Sequence, residues 1–162
     1  MHKTLALAAL SLAAVAPAGG ALAQEIERTV SGPTATISST ASIPPGSRIV
    51  FISGTTPSPL DPASPENFGD TRQQTLSILT KMKAQLETLG LGMGDVVKMT
   101  VFLVGVPENS GRMDSAAMNE VFRTFFGTAE QPNRPTRSTI QVAALGRPTM
   151  YVEIEAVAAK AP

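Results

Sequence analysis

The sequence predicts an α+β sandwich, one β-sheet with two helices laid against it, and three observations lead there. Two segments, Asp70 to Leu89 and Asp114 to Phe126, carry apolar residues at three- and four-residue spacing. Between and around them lie short runs rich in Val, Ile, Thr and Phe. Read along the chain the order is β-β-α-β-α-β-β, with strands and helices of comparable number.

Each element has its own reason. Thr34-Ala35-Thr36-Ile37 alternates and reads as a weak edge strand inside a Ser-, Thr- and Pro-rich start, Gln24 to Pro45. Arg48 to Gly54 is a β-branched and aromatic run closed by glycine, a strand. Pro57, Pro59, Pro62 and Pro65 make the next stretch a loop. In the first helix Leu76, Leu79, Met82, Leu86 and Leu89 draw one stripe; Asp70 or Asn67 caps its start and Gly90 ends it. The glycines at 90, 92 and 94 leave a helix and enter a strand, the reverse of a phosphate-cradling loop, so no nucleotide site is read there.

Asp95 to Val104 is apolar on both alternating faces, which predicts a strand covered on both sides. The second helix buries Met118, Val121, Phe122 and Phe125, and Gly127 closes it. Two strands follow, roughly Arg137 to Leu145 and Met150 to Ala158, joined by the turn Gly146-Arg147-Pro148-Thr149. Two helices cover only one face of such a sheet, so the doubly apolar strand implies a cover from outside the chain. Self-association with closed symmetry is the simplest source.

The first 23 residues read differently from the rest. Lys3, an Ala- and Leu-rich stretch from Leu5 to Val15, a relaxed Pro17 to Gly20 and the sequence Ala21-Leu22-Ala23 form the three parts of a secretory signal peptide. The apolar run is shorter than the roughly 20 residues a bilayer span needs. Cleavage is expected before Gln24, which leaves residues 24–162 as one domain, periplasmic or secreted, with no membrane attachment.

Composition then excludes whole classes of chemistry. Of 162 residues 13 are Lys or Arg and 13 Asp or Glu, with no basic run, a poor match to a nucleic-acid binder. Losing Lys3 leaves 12 against 13, a balance of minus one. The single histidine is His2, within the expected leader, and there is no cysteine. A mature chain without imidazole or thiol lacks Ser-His-Asp and Cys-His nucleophilic sites, His- or Cys-based zinc sites and disulfides. Carboxylates, arginine, hydroxyls, amides and water remain.

Alternation on the strand after Pro135 sets Arg137 and Thr139 on one face and Ser138, Ile140 and Val142 on the other. The second set is the more core-like, so Arg137 and Thr139 are expected to point away from the core, toward a cleft or interface. On the last strand Tyr151, Glu153 and Glu155 share the polar face. A guanidinium is a suitable carboxylate receptor, because its planar fork meets both oxygens and its charge is hard to titrate away. Glu153 could hold a water or take up a proton. From spacing alone, the plainer reading is a surface ion pair between Arg137 and Glu153, with Asn119 a bystander.

Four segments in order weigh against that plainer reading. Gly94-Asp95-Val96-Val97-Lys98-Met99-Thr100-Val101-Phe102-Leu103, Asn119-Glu120-Val121-Phe122-Arg123-Thr124-Phe125-Phe126, Pro135-Thr136-Arg137-Ser138-Thr139 and Val152-Glu153-Ile154-Glu155-Ala156 resemble the hallmark segments of the RidA (YjgF-type) family over about residues 48–158. The resemblance implies a chorismate-mutase-like α+β fold with a mixed sheet, assembled as a homotrimeric barrel with a ligand cleft at each subunit interface. It also implies hydrolysis of reactive 2-imino or 2-enamino acids to 2-oxo acids and ammonia, with no metal or organic cofactor. By the same resemblance Arg137 grips the substrate carboxylate, Asn119 and Thr139 bind the substrate, and Arg137, Thr139 and Glu153, which positions water, are the catalytic residues. The family's tyrosine after a Gly-Pro pair is replaced, since Thr34 follows Gly32-Pro33. A non-catalytic trimeric binder of small carboxylates is the alternative. A ribonuclease is the remotest, for want of a general-base histidine and a basic track.

Overall fold

The computed structural model describes residues 24–162; the expected signal peptide, residues 1–23, lies outside the described residues. A two-stranded hairpin comes first, β1 (Glu27–Thr29) with β2 (Thr40–Ser42). The main sheet holds β3 (Arg48–Thr55), β4 (Val96–Val106), β5 (Arg112–Met113), β6 (Thr136–Val142) and β7 (Val152–Lys160). Helix α1 (Thr71–Thr88) joins β3 to β4, and α2 (Ser115–Phe125) joins β5 to β6. The α+β class and the mixed sheet follow the sequence reading.

Strand order is β3-β7-β4, with β6 and the short β5 along the other side of β4. β4 and β6 run parallel, while β7 runs antiparallel to both β3 and β4. A parallel neighbour requires a crossover, and α2 supplies it between β4 and β6. β3 and β4 therefore also point the same way, with α1 crossing between them and β7 slotted into the gap. This corrects the expectation drawn from the turn at 146–149: β6 and β7 are not a hairpin but lie on opposite sides of β4.

The core forms where the helices meet one sheet face. Ile78, Leu79, Met82 and Leu86 of α1 and Met118, Val121 and Phe122 of α2 pack on Met99, Val101 and Leu103 of β4 and Val152, Ile154 and Ala156 of β7. Each of these loses most of its apolar surface to the interior, worth roughly 1.5–3 kcal/mol for a large side chain. The other sheet face has no helix. There Phe51 is 80% exposed, Ile49 48% and Ile140 47%, beside the half-buried Lys98, Thr100, Phe102 and Val104. The strand predicted to be covered on both sides is thus fully covered on one.

Local chemistry sets the helix ends. Asp70 caps α1 by accepting from the Gln73 N–H at 2.8 Å, and the Gln73 side chain accepts in return from the Asp70 N–H at 3.0 Å, a reciprocal capping box. Asp114 caps α2 by accepting from the Ala117 N–H. Gly90 and Gly127, just past the two helices, take positive φ of 70° and 75°, which a residue with a Cβ rarely adopts. The α1 stripe is corrected at one position. Leu76 is 50% exposed, and buried Thr71, Thr75 and Gln74 take its place. At about 100° per residue Leu76 falls well round the helix from Leu79, Met82 and Leu86.

The expected strand at Thr34 to Ile37 is instead the connection between β1 and β2, turned by Gly32 and Pro33. It is strapped to the start of β6: the Ser38 N–H donates to the Pro135 carbonyl at 3.0 Å and the Ser38 hydroxyl to the Arg134 carbonyl at 2.7 Å. Arg28 of β1 clamps the hairpin to the entry of β4, donating to the Gly94 carbonyl at 3.0 Å.

Candidate anion-binding site at the β6–α2 edge

β6 is an outer strand of the sheet, and its parallel register with β4 fixes which way Arg137 points. Arg137 pairs with Met99 and Thr139 with Val101, and both partners belong to the buried, helix-covered face. Arg137 and Thr139 therefore lie on that face, at its edge beneath α2. Ser138 and Ile140 are turned to the open face. This reverses the expected assignment. Residue type favours the Val- and Ile-containing set as core, whereas burial is decided by which face the helices cover.

Arg137 is held on three sides. Its Nη2 donates to Asn119 Oδ1 at 2.7 Å. Its Nη1 approaches Met118 Sδ at 3.6 Å. The guanidinium carbon sits 4.3 Å from the centre of the Phe122 ring, a cation–π contact of roughly 0.5–2 kcal/mol. Met118 and Asn119 each lie one turn before Phe122 on α2, four and three positions back, so all three reach the same edge of β6. Asn119 and Thr139, like Arg137, are half-buried.

Two polar atoms in this cluster lack partners. The Arg137 Nε–H and the Thr139 hydroxyl are both inaccessible and make no hydrogen bond within the chain. Buried polar groups are ordinarily satisfied, so an unpaired donor and an unpaired hydroxyl on the same strand face leave this edge of the sheet under-satisfied within one chain. Burial, with repulsion from Arg123, pushes the Arg137 pKa down to about 10. The side chain is still a cation at neutral pH. Its ion-pairing capacity is unspent, since no carboxylate lies within salt-bridge range of Arg137 among the described residues.

Glu153 is elsewhere. It shares a rung with Phe102 and Ile140 on the open sheet face, so Arg137 and Glu153 project from opposite sides of the same sheet. The surface ion pair that spacing suggested is excluded within one chain. The carboxylate lies over the irregularity in β3 between Ile52 and Thr55; a Cβ placed on Gly54 would come within 1.9 Å of Glu153 Oε1. The absence of a side chain at 54 is what lets Glu153 lie there. Of the four residues singled out, Arg137 and Asn119 touch, Thr139 stands beside them, and Glu153 faces away.

Sequence reasoning passed over Phe122, counted only as core, and Gly54. The first could have been found from its spacing of three from Asn119. The second had no signal short of the bulge itself.

A fixed cation at the rim of a helix-covered sheet, with an unpaired N–H and a hydroxyl on the same strand face, has the chemistry of an anion receptor on a small α+β fold. Residues 34–160 match the family model described as Endoribonuclease L-PSP. The chain belongs to this family, which includes the RidA (YjgF-type) proteins whose motifs it resembles. It is 38% identical over 112 residues to the "Putative reactive intermediate deaminase TdcF" of Escherichia coli (strain K12), covering 69% of this chain and 79% of that one. It is 37% identical over 112 residues to a RutC family protein of Pyrococcus horikoshii, covering 68% and 79% respectively.

Solved structures agree. The crystal structure of E. coli TdcF with bound serine superposes with a TM-score of 0.56 at 33% identity, covering 85% of this chain and 98% of that chain. The Rid family protein YyfB of Yersinia pestis gives a TM-score of 0.63 at 27% identity, covering 82% and 98%.

Proposed function

We propose that this protein hydrolyses small, reactive 2-imino and 2-enamino acids to 2-oxo acids and ammonia, and that it does so in the periplasm after loss of residues 1–23. The observation that carries the proposal is Arg137, fixed by Asn119 and Phe122 with its Nε–H unspent. TdcF, named for reactive-intermediate deamination and crystallised with serine, supports a small α-carboxylate as the ligand.

In this reading Arg137 takes the substrate carboxylate, and the Thr139 hydroxyl lies beside it. Water adds to C2 of the imine, and the carbinolamine then expels its nitrogen as ammonia while the oxygen keeps the C2 bond as a carbonyl. Glu153 passes one water proton to the imine nitrogen as the carbinolamine forms and then the hydroxyl proton to the same nitrogen as it leaves, so both protons go from oxygen to nitrogen and the carboxylate ends as it began. Imines already hydrolyse in water, so fixing the carboxylate and the water is most of what the protein must supply.

Because Arg137 and Glu153 face opposite ways, one copy cannot bring them to one ligand. A homotrimer in which Glu153 of a neighbouring copy meets Arg137 would complete the cleft. The exposed Phe51, Ile49 and Ile140 of the open sheet face support burial against other copies. Phe51, Lys98, Thr100 and Glu155 line a concavity of about 390 Å³ on that face.

The test is to generate 2-iminobutyrate or 2-aminoacrylate in situ and follow ammonia and oxo-acid release with and without the protein. Acceleration that disappears in Arg137→Ala is expected. No acceleration for any small imino acid overturns the deaminase, and ligand-dependent thermal stabilisation without turnover would leave a carboxylate binder in its place. Sedimentation of the mature chain at a single-copy mass would overturn the trimer, and recovery of the protein in the cytoplasmic fraction would overturn the location. The family model's description names a ribonuclease, but residues 24–162 contain no histidine to serve as general base and no basic track, so that activity is not proposed.

A further inference from the structure

Asn119 anchors Arg137, and one helical turn further along the same face of α2 stands a second guanidinium, Arg123. Its side-chain partner is a neutral one: Arg123 Nη2 donates to the Thr36 hydroxyl at 3.2 Å. Thr36 belongs to the β1–β2 connection that Ser38 straps to the entrance of β6, so the loop brings Arg123 and the Arg137 strand together. Neither guanidinium has a carboxylate within salt-bridge range among the described residues. The one carboxylate of α2, Glu120, bonds Arg72 on α1, and only its longer-range field reaches Arg123.

Two like charges gathered at one rim repel one another, and the effect reaches Arg137, whose proton affinity is lowered in part by Arg123. An arrangement of this kind is relieved when a ligand brings negative charge to both. We propose that Arg123 is a second anion-binding residue of the Arg137 site, and that the site favours short acids with two carboxylates over those with one. One carboxylate is taken by Arg137, which is held at Asn119, and the other by Arg123, which rises from α2 one turn after Asn119. Applied to the deaminase reading, on which this extension rests, the favoured substrates are the imino forms of acidic amino acids, of the aspartate and glutamate kind. Monocarboxylate imines would satisfy only half of the charge.

Equilibrium binding of two stable oxo acids to the mature protein tests this, one with a single carboxylate, 2-oxobutyrate, and one with two, 2-oxoglutarate. The wild-type protein should bind 2-oxoglutarate about tenfold more tightly, the scale of one charge-assisted hydrogen bond at a partly exposed site. In Arg123→Ala the ratio of the two affinities should fall to near one, and Arg123→Lys should restore part of it through charge alone. Raising the salt concentration should shrink the same ratio in the wild type, since Arg123 is exposed.

Equal affinity for the two acids in the wild type, an unchanged ratio in Arg123→Ala, or binding of neither acid by the folded protein overturns the proposal. The two readings fail separately. Turnover of imines with no diacid preference removes the role of Arg123 and leaves the deaminase; a diacid preference lost in Arg123→Ala, without turnover, removes the deaminase and leaves a dicarboxylate-binding site.

Discussion

Replacing Arg137 by lysine keeps a positive charge and removes the planar fork, and the structure says what that should cost. In the native protein one guanidinium nitrogen is committed to Asn119 at 2.7 Å, the flat face lies 4.3 Å from the Phe122 ring centre, and the Nε–H has no partner within the chain. Hydrogen bonds to a charged group contribute about 1.5–3 kcal/mol, so Arg137→Ala should lower kcat/KM roughly ten- to a hundredfold. Lysine presents a point charge that cannot both hold Asn119 and meet two carboxylate oxygens, so Arg137→Lys should recover only part of the loss. The assay is oxo-acid release from an imine generated in situ, with thermal unfolding of each variant to confirm that the fold is kept. Asn119→Ala provides the internal control. If Asn119 acts by orienting Arg137, adding Asn119→Ala to Arg137→Ala should have little further effect. Activity of Arg137→Ala within twofold of the native protein, or full additivity with Asn119→Ala, would refute the reasoning.

Other outcomes can be checked in the same preparation. Glu153→Gln should lower kcat by at least about tenfold while moving KM less, the mark of a proton-handling group rather than a binding one. Gly54→Ala should reproduce much of that loss, because the new methyl would take the space of Glu153 Oε1, and a crystal structure of the variant should show the carboxylate displaced. Carboxylate binding should weaken as pH rises through about 10, because only protonated Arg137 attracts the ligand and its pKa is pushed down to that range by burial and by Arg123; titration of 2-oxobutyrate affinity from pH 8 to 11 reads the midpoint. Gln74→Leu should destabilise the fold by about 1–3 kcal/mol in urea unfolding. The Gln74 amide donates to the Gly69 and Thr149 carbonyls at 2.9 Å and accepts from the Tyr151 N–H at 2.7 Å and the Val152 N–H at 3.2 Å, and leucine removes all four bonds.

The elements were legible in the sequence wherever one physical signal dominated. The cap at Asp70, the start of the second helix near Asp114, the glycines beyond both helices and the β-branched runs of β3, β4 and β7 all lie where local chemistry puts them. Strand neighbours were not legible, because pairing is decided across the chain. The turn at 146–149 looked like a hairpin, and only the completed sheet shows β4 between the two strands it connects. The facing of Arg137 was misread for a related reason. Alternation separates Arg137 and Thr139 from Ser138 and Ile140, but which set is inside depends on where α2 lies, and an exposed Ile140 defeats residue type as a guide. The same limit applies to Glu153: motif order only pointed to the residue, while its position across the sheet from Arg137 needed the register. Cross-chain geometry left no mark on any single segment.

The placement of β7 has a consequence for how the molecule is made. It follows every other strand in the sequence yet lies between two of them, so until residues 152–160 are available β3 and β4 have only vacant backbone edges to offer one another. The sheet is thus completed by its final segment, through pairings that span most of the chain, and this topology favours late, cooperative closure over stepwise growth from the N-terminus. A chain interrupted just before Val152 would retain both helices and still lack the strip that knits its two halves into one layer.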